Sequence, residues 1–237
     1  MSPHRQIDIA SRGGRLLSRQ VLACATIATA GLLLAVAPAA GDLPAAGETA
    51  PSRSAPNCSL RGSKTMQANR SVRVFRATNS GVYGCRRSAD RAFRLGDWGE
   101  CQNSDEISRV EVGGRYAGFV STTCSLYSSW QVVALVSLRS GRFDFGSPPM
   151  LPRPTSESVF DAVTRIVVDD RGGMAWIARR SGGGRTIAIE VRRRARGSGS
   201  ASVVLDAGTT IDPSSLRRRG HRIFWRNGAM TSSATLG

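Results

Sequence analysis

Two stretches of the chain read alike: VTRIVVDDRGGMAWIARR at Val163 to Arg180, and ISRVEVGGRYAGFVSTTC at Ile107 to Cys124. In each, an alternating apolar run (Ile166 and Val168; Val110 and Val112) meets a glycine-rich turn, Arg171-Gly172-Gly173 or Gly113-Gly114. A second short run follows, with an aromatic residue near its middle, Trp176 or Phe119. Alternation of period two about a glycine turn is the pattern of a β-hairpin with one buried face. A further hairpin comes after each: WQVVALVSLRSGRFDF turns at Ser140-Gly141, and RTIAIEVRRRARGSGSASVVL turns at Gly197-Ser198-Gly199. Each unit therefore holds four strands.

The ends of the domain read as partial copies. VRVFRATNSGVYGC turns at Asn79-Ser80-Gly81, and HRIFWRNGAMTSSATL turns at Asn227-Gly228, a dipeptide suited to a type I′ turn because both residues tolerate positive φ. Matching Phe119, Trp176 and Trp225 gives spacings of 57 and 49 residues. Residues 155–162 admit one turn of helix capped by Thr155 or Ser156, while Pro148, Pro149, Pro152 and Pro154 exclude a longer helix just before it. The chain reads as all-β, built of a dozen or more short strands in antiparallel hairpin repeats.

The recurring form is an alternating strand, a Gly-Arg or Gly-Gly turn, and a strand with a small residue before an aromatic (Gly118-Phe119, Ala175-Trp176). With the closing IDPSSLRRRGHRIFWRNGAMTSSATL, it resembles secreted β-propeller-like proteins of unassigned function from actinobacteria, over most of Cys58 to Leu236. The resemblance implies an architecture of about four short or incomplete blades and transfers no functional residues. The first and last units are short, a departure from a regular ring. A β-sandwich or an open stack of hairpins fits the same strands.

Residues 1–40 read as a signal peptide. Arg12, Arg15 and Arg19 form a basic start, Val21 to Val36 an apolar run, and Ala37-Pro38-Ala39 a small-x-small cleavage pattern. A lipobox cysteine closes the apolar run, whereas Cys24 precedes most of it. An uncleaved anchor is the competing reading, since the run approaches the length of a membrane span. After cleavage no membrane span remains, and the protein is expected to be secreted or extracytoplasmic. Residues 41–57 are rich in Ala, Pro, Ser and Gly and form a flexible linker. The all-β domain covers 58–237.

Four cysteines follow the leader: Cys58, Cys85, Cys101 and Cys124. An even count in an exported chain argues for two disulfides. If Gly113-Gly114 is the hairpin turn, Cys124 lies opposite a position near residue 103, which favours Cys101 with Cys124 and leaves Cys58 with Cys85. No CxxC pair is present, and neither a metal site nor a cofactor is expected.

The chain carries a net charge of +16. Removal of the leader leaves 29 basic against 16 acidic residues, a net +13, with Lys64 the only lysine. A charge of that size favours acidic surfaces. The basic runs VRRRARGSGS and LRRRGHR supply Arg192, Arg194, Arg196, Arg217, Arg218, Arg219 and Arg222 as candidate anion-binding residues. Their forked guanidinium groups suit phosphate and carboxylate bidentately. Few aromatics interleave with these runs, so specific nucleic-acid recognition by stacking is not expected.

Catalytic signals are weak. His221, the one histidine after the leader, sits among arginines that disfavour an imidazolium. Asp169 and Asp170 occupy a turn, where aspartate caps nearby amides. Glu190 alternates onto the same face as Arg192, which predicts a cross-pair. The expected function is a non-enzymatic binding or scaffolding module at the cell envelope, whose partner is an anionic envelope polymer or another envelope protein. The alternative is an extracellular hydrolase or lyase using Asp161, Asp169, Asp170 or Asp206.

Overall fold

The computed structural model describes residues 57–89, 91–99, 105–124, 129–151, 159–194 and 201–236. The leader, most of the linker, Cys101, Arg196 and the turn at 197–199 lie outside them. The first unit is a meander of β1 (Lys64–Ala68), β2 (Val72–Arg76), β3 (Gly81–Arg86) and β4 (Ala92–Asp97). The second comprises β5 (Asp105–Gly113), β6 (Tyr116–Cys124), β7 (Ser129–Ser137) and β8 (Arg142–Ser147). The third runs β9 (Val159–Val168), β10 (Met174–Gly182), β11 (Arg185–Arg194) and β12 (Ser202–Ala207). The last has three strands, β13 (Arg217–Arg219), β14 (Arg222–Asn227) and β15 (Met230–Thr235).

Neighbouring strands pair antiparallel within every unit, and the first two units share one sheet through a single parallel bridge, Asp97 to Glu106. No helix occurs among the described residues, and their strands close neither a barrel nor a propeller. The helical turn expected over 155–162 is not formed in its second half. Val159 to Ala162 open β9, where they pair with Arg179 to Gly182 of β10. In the β5–β6 hairpin Thr123 faces Asp105, a register displaced from the expected one by about one residue, through a bulge between Ser108 and Glu111.

The units are held face to face by three apolar layers. Val72, Val74, Val82 and Leu95 of the first unit meet Ile107, Phe119, Ala134 and Val136 of the second. The opposite face of the second unit, with Val120, Val133, Leu135 and Phe145, meets Val163, Ile166, Met174 and Trp176. Ala175, Ile177, Ile189 and Val191, on the far side of the third sheet, meet Ile223 and Trp225 of the fourth. Because both faces of β10 are covered, MAWIA is apolar without interruption and buried throughout.

One rule places the aromatics. Phe119, Trp176 and Trp225 each lie on the second strand of a unit and each point toward the unit before it. Trp176 donates its indole N–H to the Pro149 carbonyl at 2.9 Å, and Trp225 donates to Asp206 at 2.7 Å, so each reaches back to the close of the preceding unit. The residue before the aromatic faces the next unit, where space is short. A Cβ on Gly118 would stand 2.5 Å from Val168 Cγ2.

In the first unit residues 57–63 take the place that a preceding unit has elsewhere. Phe75 packs there against Cys58, Leu60, Cys85 and Ala92. A disulfide joins Cys58 to Cys85, with Cα atoms 5.7 Å apart. Arg73 reinforces it, its guanidinium 4.7 Å from the Phe75 ring centroid while it donates to the Cys58 carbonyl at 2.8 Å and to the Ser63 hydroxyl at 3.0 Å. Cys124 is also disulfide-bonded, and its expected partner, Cys101, falls outside the described residues. The Cys58–Cys85 bridge closes a span of 27 residues, for which chain entropy gives about 3.5 kcal/mol. Replacing both cysteines by serine should lower the unfolding free energy by roughly that amount in a denaturant titration, and limited proteolysis should then cut first within 57–63.

Candidate functional site

The structure gathers part of the expected basic set on the last sheet. Residues directly opposite in an antiparallel ladder share a face. Arg217 lies opposite Phe224 and Arg219 opposite Arg222; across β14, Arg222, Phe224 and Arg226 lie opposite Thr235, Ser233 and Thr231. Ile223 and Trp225 alternate inward to the core. The outward face therefore presents Arg217, Arg219, Arg222 and Arg226 around a half-buried Phe224, beside three exposed hydroxyl residues.

Little of this charge is neutralised. Arg226 is bound by Asp212, whose carboxyl is pushed down to about 2 by the Ser214 hydroxyl and amide and by Arg226 itself. Arg222 donates to the Ser233 hydroxyl at 3.0 Å. The side chains of Arg217 and Arg219 form no hydrogen bond or ion pair with the described residues. Arg226, absent from the residues singled out by sequence, belongs to the face because RIFWRN alternates; the ladder register, once known, identifies it.

The other expected arginines are elsewhere. Arg218 lies opposite Ile223, on the inner side of β13, and donates to the Gly220 carbonyl at 2.9 Å. Its charge reaches Glu111 on β5, as does that of Arg165 on β9. Burial raises the Glu111 carboxyl, and these two arginines pull it partly back. Arg192 is only 3% exposed. It pairs with Glu190, as alternation predicts, but inside the protein, and donates to the Ser202 hydroxyl at 3.2 and 3.0 Å. Arg194 donates to the carbonyls of Gly172 and Asp144, both at 3.2 Å, and so joins the second and third units. Arg196 lies outside the described residues.

The carboxylates considered for catalysis are occupied in holding the fold. Asp161 accepts two hydrogen bonds from Arg180, at 2.7 and 3.0 Å. Asp206 accepts from Trp225 and from Asn227. Asp169, 1% exposed, accepts the amides of Arg171 and Gly173 on Oδ1, at 2.9 and 2.6 Å, and its Oδ2 lies 2.8 Å from His221 Nδ1. Asp170 Oδ1 stands 3.6 Å from the same nitrogen.

Asp169, Asp170 and His221 bring ligand atoms within 4.8 Å of one another, yet the surroundings define a clasp between turns. Asn69 does the same work in the first unit. Its Oδ1 accepts the amides of Ser71 and Val72, and its Nδ2 donates to the Gly114 carbonyl of the next unit at 3.0 Å. Gly113 and Gly114 then lie so close to the Asp169–Asp170 backbone that a Cβ on Gly113 would stand 2.2 Å from the Asp169 carbonyl oxygen. Four first-hairpin turns form one row, and His221 closes its end.

Asp169→Ala leaves buried amides without an acceptor and should cost about 2–3 kcal/mol, whereas Asp169→Asn, which keeps the Oδ1 acceptor, should cost less; chemical denaturation distinguishes them. For Glu111 the folded state holds the proton more tightly than the unfolded chain, so stability is greatest below the ordinary value of 4.5 and declines as pH rises through it toward the raised value. Glu111→Gln should remove that decline. Its melting temperature should exceed that of the native chain at neutral pH, with the difference closing by about pH 3.5.

No protein-family model matches the chain, and no curated protein is significantly similar to it.

Proposed function

We propose that the chain is a secreted, non-enzymatic binding module of the cell envelope, and that its units are blades of an open propeller-like stack whose last sheet docks on an anionic polymer. The observation that carries this reading is the outward set Arg217, Arg219, Arg222 and Arg226 around Phe224. Residues two apart on a strand stand about 7 Å from one another and neighbouring strands about 5 Å. Arginines on that grid meet successive anionic groups of an extended chain, while the hydroxyls of Thr231, Ser233 and Thr235 supply further polar contacts. A phosphodiester or uronate polymer has the repeating charge such a surface needs.

Location outside the cytoplasm is supported by the Cys58–Cys85 disulfide and by the leader-like pattern of residues 1–40. Among the described residues no helix is long and apolar enough to cross a membrane.

Retention on native cell envelopes across a salt gradient tests the proposal. The variant Arg217→Ser, Arg219→Ser, Arg222→Ser should elute at distinctly lower salt than the native chain. A control, Arg61→Ser, Arg139→Ser, Arg185→Ser, removes the same charge from exposed positions elsewhere and should elute close to the native protein. Equal weakening by both triples would show that net charge alone is responsible and would overturn the docking face.

A further inference from the structure

A second basic site lies between the first strands of the first two units, where β1 and β5 run past each other. It is a cleft of about 320 Å³ with Met66 and Val110 in its walls, Trp98 at its side, and three cations, Lys64, Arg76 and Arg109. No carboxylate lines it among the described residues. The side chains of the three cations form no hydrogen bond or ion pair with the described residues. The Arg76 guanidinium lies 5.7 Å from the Trp98 ring centroid. A guanidinium held over an indole keeps its in-plane N–H groups free for an oxyanion.

The backbone is deformed where it meets this cleft. The β1–β2 ladder shifts register between Thr65 and Gln67, a bulge at Met66. The β5–β6 ladder shifts between Ser108 and Glu111, a bulge that contains Arg109 and Val110. Arg109 has φ of 46°, in the left-handed region that a non-glycine residue enters at a cost. Bulges re-aim side chains and gather beside binding sites, and here both bulges line one recess. A glycine at residue 109 would relieve the strain; an arginine there supplies the third cation.

From this we infer that the cleft binds a small organic oxyanion: a phosphate or carboxylate held by Lys64, Arg76 and Arg109, on a body about one ring in size that rests against Met66, Val110 and Trp98. A volume of about 320 Å³ is at the lower end for ligand pockets and suits a body of that size. The site is separate from the arginine face of the last sheet and stands whether or not that face binds a polymer.

Titration calorimetry with phenyl phosphate, glucose 6-phosphate and inorganic phosphate tests it. Phenyl phosphate and glucose 6-phosphate share the anion and differ in the body, so their ranking identifies an aromatic or a sugar ring as the preferred one. At least one should bind saturably and tenfold or more tighter than inorganic phosphate. Arg109→Gly should weaken that binding at least tenfold while leaving the melting temperature unchanged or higher, a combination that a purely structural arginine does not give. Trp98→Leu should weaken the organic phosphates more than inorganic phosphate. Equal weak binding of all three compounds, or a lowered melting temperature in Arg109→Gly without loss of binding, would overturn the inference.

Discussion

Burial of one aromatic ring per unit, against the unit before it or, in the first unit, against residues 57–63, is the constraint on which the rest of the fold depends. Phe75, Phe119, Trp176 and Trp225 sit on the second strands, where a ring can span the gap between two stacked sheets. A single four-stranded meander has two faces and little thickness, so it cannot exclude water from either face alone. Stacking solves this by covering each face with the next sheet, and the rings fill the space between. The tryptophan N–H donors set the offset between units, because a buried indole donor needs an acceptor at a fixed distance. Gly118 belongs to the same constraint, since the face opposite Phe119 is pressed against Val168.

A stack of this kind has two ends, and each is finished differently. At the first unit residues 57–63 cover Phe75, held by the disulfide and by Arg73. At the last unit the residue preceding the aromatic is Phe224 rather than a small residue, and no sheet of the described residues lies against it. Arginines and hydroxyls surround it. A polar outer face is what a terminal repeat needs for solubility, and a concentration of unneutralised guanidinium groups on that face gives it a capacity for anions as well. The cleft at Arg109 arises from a different cause, local deformation of two first strands, and its cations are gathered by bulges rather than by regular alternation.

The row of turns gives the Asp169–His221 contact a part in joining neighbouring units. Asp169 and His221 resemble an acid–base pair, yet Asn69 occupies the corresponding turn of the first unit, where it too accepts two amides and contacts the following unit. Asparagine and aspartate are interchangeable in closing such a turn; they are not interchangeable in proton transfer. The requirement shared by both positions is therefore the turn and its link to the neighbouring unit.

Local chemistry was enough to read the strands and most of the turns, while the Cys58–Cys85 pair was reached only by elimination. Alternation and glycine placement depend on neighbours two to four residues away, and VTRIVVDDRGGMAWIARR carries both in full. The same periodicity paired Arg192 with Glu190. What it left open was which face meets water. Arg192 and Arg194 share an alternation pattern with Arg217 and Arg219, but the second unit covers the former pair and nothing among the described residues covers the latter. Arg109, Arg76 and Trp98 were likewise invisible as a group, because a bulge redirects a side chain without changing composition. Strand identity is a local property, whereas exposure and convergence depend on strands brought together from distant parts of the sequence, and only the folded stack decides them.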